Sequence, residues 1–543
     1  VPGLLSSRGS PLGSNRLLYL IPVLLLIIAS LTVLLLGRMK VNLGRAWLVA
    51  LITSALVWVM VVVLGVIRPE GYQVENWITV FPGPARFNLG FTPNTWVLGF
   101  LLSSMLVIIL LTEAKTLQDQ NQLTILATEM ILTATGILAV MANSPLAYLV
   151  TWVVIDLIEF GLLSLINRDE SVHRNITISL VLRMLGSLLM VYVLVMINNG
   201  KNASELTGSV IFLIALLRIG ILPIHKNYTT VSTLKRGVGT ILRFIPPLTV
   251  ASFLFFINPG TFSPVLLVFL KVALSIGGLF GAISWLLAKD ELDGRVFWIL
   301  SIGCLSLIAF LTQQSTAIPG LMIFMVVAGL ASFLYSPRFT SPWVFLVFLF
   351  LGLLTIPYTP TAPVRSLLWA MSFDLIFIVI FPTYILLIAG VFKHFLREES
   401  QLVFMETWMK FMYVVALVLI LVTPWVAEAF FFDRVRDLSN LGPSIGVAVI
   451  SLMIVLGSQL LRGKFRILED RLDGFGQASK KGLTAFTQVM NLDWFFGLAQ
   501  KILNLVGKAI TTSIKVQEGD GGLLWSILFL VLIASLLITR VTP

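Results

Sequence analysis

The chain has 543 residues, of which 58% are hydrophobic and only 12% charged, with a formal net charge of +11. Its mean hydropathy is +0.99, and its share of charge is half the roughly 25% of soluble domains, so a water-soluble globular fold is excluded. One cysteine, Cys304, and three histidines exclude a disulfide framework and a cysteine-built iron–sulfur or zinc site.

Apolar runs recur near 17–36, 47–67, 95–112, 123–142, 146–166, 175–198, 208–225, 240–257, 264–288, 296–312, 317–335, 342–357, 364–395, 408–430, 444–461 and 523–540. Each is continuous and of the order of 20 residues, the length of a helix crossing a ~30 Å hydrocarbon core, whereas barrel strands alternate over about ten residues. The fold class is therefore all-α: a polytopic membrane protein with about 16 transmembrane helices, some interrupted, and an amphipathic lateral segment. The lead before Leu17 does not read as a cleavable signal, because Leu17–Leu36 is already long enough to span. The run 364–395 exceeds one crossing and divides into two helices near Pro382.

The connections "GRMKVNLGR", "NRDESVHR" and "KDELDGR" hold Lys and Arg, while "PEGYQVENW" and "NNGKNASE" are poorer in them. The positive-inside rule puts the first set in the cytoplasm and both termini outside. In a bilayer the positive charge is accounted for by such loops and by anionic lipid, so nucleic acid is not expected as a partner.

The stretch 462–522 breaks the pattern. "LRGKFRILEDRLDG" and "LDWFFGLAQKILNLVGKAITTSI" mix charge with apolar residues at helical spacing, which fits a helix lying along a membrane or on other helices; the alternative is a locally packed cytoplasmic tail. The chain divides into N-terminal helices over 1–112, two bundle halves over 113–260 and 261–400, further helices over 401–461, the lateral connector 462–522 and a final anchor over 523–543.

Ionisable groups inside apolar spans are costly unless paired or hydrated, and so mark function. Asp156 and Glu159, three residues apart in "TWVVIDLIEFGLLSLI", share a helical face, and mutual repulsion favours proton exchange at one of them. Alternatively, Glu159 pairs with Arg168. Arg183 in "ISLVLRMLGSLL" is a counter-ion for either acid. Arg218 precedes Pro223, whose ring interrupts the helix and frees carbonyls, and His225, which titrates near neutral pH. Arg243 stands just before Pro246 and Pro247. Lys271 and Arg365 add further cations; for any one of these basic residues, snorkelling or filling a helix interface is the plain alternative. Acidic then basic residues across interrupted helices describe a hydrated polar axis.

These residues resemble the antiporter-like membrane subunits of respiratory complex I, related hydrogenases and Mrp-type cation/proton antiporters, in the large type with a lateral helix. "RIGILPIHKNY" and "GTILRFIPP" keep the spacing of that family's basic positions in its seventh and eighth helices. "MANSPLAYLVTW" resembles the lead into its fifth helix, "KDELDGRVFWILSIG" a segment of the form DxKRxLAYSTISQLG, and "YTPTAPVRSLL" the approach to a twelfth-helix lysine. "LDWFF" and "EGDGGLLWSILFLVL" are similar to the tails of its large members.

The resemblance implies proton or sodium translocation by a subunit of a multi-subunit redox-driven or Mrp-type complex in a bacterial or archaeal cytoplasmic membrane. It implies small and antiporter-like subunits as partners and a peripheral redox module in some complexes; the residues themselves show no phosphate-binding glycine loop, nucleophile elbow or metal-spaced His/Cys set, so no cofactor, metal or catalytic centre is expected in this chain. Arg218 falls on the family's seventh-helix lysine position and Arg243 on its eighth-helix lysine or histidine position, and Val153 stands where the fifth-helix glutamate belongs. Arginine keeps its proton, so the titrating groups become Asp156, Glu159 and His225. A non-pumping structural or coupling subunit is the alternative, and secondary transport of a small organic solute a weaker third.

Overall fold

A computed structural model describes residues 18–39, 42–68, 71–74, 87–114, 122–166, 170–198, 204–221, 236–257, 262–334, 343–372, 374–395, 406–431 and 441–460, with isolated helical positions 501, 508, 527, 530 and 531. The chain forms two units, 1–466 and 467–543. Nearly all of the lateral connector and the final anchor lie outside the described residues, as do Pro223 and His225.

The first unit is a helical bundle. Its helices are α1 (Leu20–Arg38), α2 (Leu43–Ile67), α3 (Pro93–Glu113), α4 (Gln122–Val140), α5 (Pro145–Ile166), α6 (Glu170–Asn198), α7 (Glu205–Ile219), α8 (Arg236–Phe256) and α9 (Pro264–Leu287). They continue with α10 (Glu291–Leu311), α11 (Ala317–Phe333), α12 (Trp343–Leu353), α13 (Arg365–Met371), α14 (Phe377–Phe395), α15 (Thr407–Phe431) and α16 (Gly442–Leu460). Among the described residues, 11 helices are long and apolar enough to cross a membrane. One small sheet interrupts the helical pattern: β1 (Tyr72–Val74) pairs antiparallel with β2 (Phe87–Leu89), Tyr72 opposite Leu89. The alternating polarity needed to foresee it is too short to stand out.

Burial sorts the helices by depth. In α3 and α8, 94% of the apolar window is buried, against 33% in α1 and α2. The exposed residues of α1 include Leu24, Ile28, Leu31 and Leu35, three and four apart, so they form one apolar stripe suited to lipid. The centre is locked by indole donors to backbone carbonyls across helices: Trp47 Nε1 to Leu110 at 2.8 Å, Trp96 Nε1 to Val61 at 2.7 Å and Trp298 Nε1 to Met325 at 3.2 Å. Where no water competes, such bonds satisfy groups that would otherwise be stranded.

Three expectations about helix breaks are corrected. The seventh helix stops at Ile219 rather than reaching 225: Gly220 takes the left-handed conformation (φ 82°) and donates to the Leu216 carbonyl, ending the helix before Pro223 is reached. Pro246 and Pro247 do not break α8, which runs through both. The 364–395 stretch does divide, but at residues 372–376, with Pro382 inside α14.

A break inside the bundle follows α12. Its last carbonyls are met by side chains: Thr361 Oγ1 donates to Gly352 at 3.2 Å and Leu354 at 2.8 Å, and the Tyr384 hydroxyl to Leu353 at 3.1 Å. A 3₁₀ turn, Ala362–Val364, then leads into α13. Threonines in "YTPTAPVRS" thus supply the donors that a terminated helix lacks.

Candidate functional site

Helices α5, α6 and α7 hold the first charged group. Asp156 and Glu159 lie one turn apart on α5, Arg183 on α6 and Arg218 in the last turn of α7; all are buried. Arg218 clamps Asp156 through two bonds, Nη1 to Oδ2 at 2.6 Å and Nη2 to Oδ1 at 3.1 Å. It also donates to Ser187 Oγ at 3.3 Å and lies 4.6 Å over the Trp152 ring. Arg183 donates to Glu159 and comes within 3.8 Å of Asp156. Two carboxylates therefore face two guanidiniums, a neutral set in which the acids are bridged by cations rather than left to repel.

Arg183 is thus a partner of Glu159; Arg168, the other expected partner, lies outside the described residues. The helix ends explain the position of Arg218. A cation in the last turn faces the carbonyl-rich end of α7, and Gly220 terminates the helix within the bundle. A Cβ on Gly186 of α6 would still lie 3.5 Å from the Arg218 stem, so α6 packs closely on that stem.

Two small spaces adjoin the group. One, about 10 Å³, is bounded by Asp156, Glu159, Phe160, Leu163, Ile176, Ser179, Leu180 and Arg183. The other, also about 10 Å³, runs from Arg183 past Ile219 and Gly220 to Leu242, Arg243 and Pro246, with Val296, Ile299 and Leu300 of α10 opposite. Each suits about one water. Prolines at 246 and 247 have no N–H to give to the carbonyls four residues earlier, those of Leu242 and Arg243, and both of these residues line the second space. Arg183 and Arg243, on separate helices, therefore share one small polar space.

The structure does not bring every expected residue together. Lys271 is half-buried on α9, whose face exposes Val268, Phe269 and Val272. Arg365 is buried at the start of α13, which packs on α11, α14 and α16. Neither borders the two spaces.

Other charged residues were missed. Glu129 in α4 is fully buried, and Glu113, Arg236, Glu291 and Arg295 cluster where α3 ends and α8 and α10 begin. Arg236 Nη1 stands 2.7 Å from Glu291 Oε1 and donates to the Phe333 carbonyl at 2.9 Å; Gln122 Nε2 donates to Glu113 at 3.0 Å. His394, buried at the end of α14, has Nε2 3.0 Å from the Trp285 carbonyl. Glu129 lies inside the expected span 123–142, so the rule that selected Asp156 also points to it. Glu291 and Arg295 belong to "KDELDGR", which reads as a solvated loop.

No protein-family profile and no curated protein sequence matches the chain. Solved structures do. A chain of the Mrp complex from Dietzia sp. DQ12-45-1b superposes with a TM-score of 0.69 at 11% identity, covering 97% of this chain and 63% of that one. The fold is that of this chain of the Mrp complex. A chain of the membrane-bound sulfane sulfur reductase, an archaeal respiratory membrane complex, superposes with a TM-score of 0.59 at 12% identity over 79% of this chain and 99% of the other. This chain spans about 63% of the length of the Mrp-complex chain, and it is an integral membrane protein of that architecture.

Proposed function

We propose that the chain is a proton-translocating subunit of a multi-subunit membrane complex, and that Asp156 and Glu159 are its titrating groups among the described residues. The observation that carries this reading is the buried pair of carboxylates bridged by Arg183 and Arg218, next to water-sized spaces that extend to Arg243. Each arginine stays charged. Its work is to hold the carboxylates in place and to balance them, so that a proton added to Glu159 or Asp156 leaves an uncompensated guanidinium. That imbalance passes from Arg183 to Arg243 as a field, in step with water in the second space. The likeness to chains of two membrane complexes supports neighbouring membrane subunits as partners.

A second reading has its own observation. The two-point Asp156–Arg218 bond is the geometry of a fixed structural pair, which favours a coupling subunit through which no ion crosses. The two readings separate in the intact complex, reconstituted in vesicles with a pH-sensitive dye inside. Asp156→Asn and Arg218→Gln, made separately, are expected to abolish proton movement while the other subunits still co-purify. Unchanged proton movement with normal assembly in both variants would leave only the structural role, and sodium flux in place of dye response would reassign the ion.

A further inference from the structure

We propose that Arg295 is a positioning residue for a second branch of the ion path, one that joins the space at Arg243 to the bundle end where Arg236 and Glu291 meet. The proposal rests on the translocation reading above.

Arg236, Gly239 and Arg243 follow one another at three and four residues along α8, so they share one face. The guanidinium of Arg295, on α10, lies on that face between the two arginines: a Cβ placed on Gly239 would come 2.4 Å from its Nη1. Glycine at 239 is what leaves the room. Arg295 itself is 3% exposed. Its Nε donates to the Leu292 carbonyl at 3.4 Å and its guanidinium stands 5.8 Å over the Phe333 ring, yet Nη1 has no hydrogen-bond acceptor among the described residues.

The charges acting on Arg295 are those of Arg243, Arg236, Glu291 and Asp290. Glu113 faces the same stretch of α8, since a Cβ on Gly237 would meet its Oε1 at 2.2 Å. At the outer end, the Arg236 side chain is 29% exposed while that of Glu291, its partner at 2.7 Å, is only 3% exposed. One face of α8 therefore carries a half-exposed cation with a buried carboxylate, then a buried guanidinium with a donor to spare, then the arginine that lines the central space. A buried cation beside two like charges is costly unless it does something there.

The spare donor is placed to orient water between Glu291 and Arg243. Arginine releases no proton, so Glu291 is the group of this row that titrates. It takes a proton from the Arg236 side and becomes a neutral carboxyl. It returns to carboxylate as that proton passes along the water held by Arg295 toward Arg243 and the α5 acids. Arg295 keeps its charge throughout.

The test uses the intact complex in vesicles, reading proton flux per assembled complex and its pH profile. Arg295→Gln removes the charge and the fork. Gly239→Ala leaves every charge in place but puts a methyl against Nη1 and displaces it. Because misplacing a group by about 1 Å can cost ~10²-fold in rate, both are expected to lower flux about tenfold or more and to shift the pH profile in the same direction, with Arg295→Lys recovering part of the flux. Parental flux and pH profile in either Arg295→Gln or Gly239→Ala overturn the proposal; if neither assembles, a parental profile in Arg295→Lys does so instead. Asp156→Asn is run alongside. If it keeps its flux, the translocation reading itself has failed; if it loses flux while the Arg295 and Gly239 variants do not, only this branch has failed.

Discussion

The two charged regions of the bundle are built from the same residue types and behave differently. At α5–α7, every charge meets an opposite one at bonding distance, and Arg218 holds Asp156 with both arms. At the ends of α3, α8 and α10, the pair Arg236–Glu291 is partly open to solvent, and the neighbouring Arg295 stands near two cations and two carboxylates with a donor unfilled. The first region is neutral and tight; the second is looser and has access to the bundle's edge. On the translocation reading proposed above, the two serve different ends, a deep place where charge is held balanced and a shallower one where it is exchanged.

The contrast is broken most severely by Asp156→Asn. Removing one partner from a buried pair strands the other, which costs about 3–5 kcal/mol. Thermal unfolding in detergent is expected to fall accordingly, and Asp156→Asn with Arg218→Gln is expected to be more stable than Asp156→Asn alone. If the double variant is instead as weak as the sum of the singles, Arg218 is not held chiefly by Asp156 and the deep region is less self-contained than the geometry says.

Arg218→Lys sharpens the same point at lower cost. It keeps the charge but loses the fork that reaches both Asp156 oxygens and the contact with Trp152, so a loss of about 1–2 kcal/mol is expected, with transport reduced. Glu291→Gln should cost less again, about 1 kcal/mol or under, because its partner is partly solvated and screened. Unfolding curves of the two variants side by side give the ranking; a larger loss at Glu291 would reverse the assignment of deep and shallow regions.

Much of this was legible beforehand. A continuous apolar run can only be a helix in lipid, and a carboxylate inside one, such as Asp156 or Glu159, stands out by its cost. What could not be read was which arginine served which acid: the separations from 156 to 218 and from 159 to 183 are set by the packing of α5, α6 and α7, not by local pattern. Helix ends misled for a related reason. Proline is the louder signal in "RIGILPIH", but Gly220, three residues earlier, can take the left-handed turn that ends α7, while packing around α8 holds Pro246 and Pro247 within a continuous helix. The second region was hidden because "KDELDGR" reads as a loop, although tertiary contacts bury Glu291 and Arg295 in the first turns of α10. Gly239 carries no signal of its own until α10 is laid across it.

The smallest expected effect on stability, and the one that bears on how the two regions communicate, comes from Pro246→Ala together with Pro247→Ala. Pro246 lines the space that Arg183 and Arg243 share, and the two prolines deny N–H partners to the carbonyls of Leu242 and Arg243. Alanine would restore both helical bonds, and since α8 is already continuous the gain should be a few tenths of a kcal/mol up to about 1 kcal/mol. Transport should move the other way, because carbonyls bonded within the helix no longer offer acceptors to water beside Arg243 and Arg183. A variant that unfolds slightly later and conducts several-fold less would place the coupling at this pair of carbonyls. A variant that unfolds later and conducts as before would show that the two regions communicate through the guanidinium charges alone, with the backbone between them serving only as support.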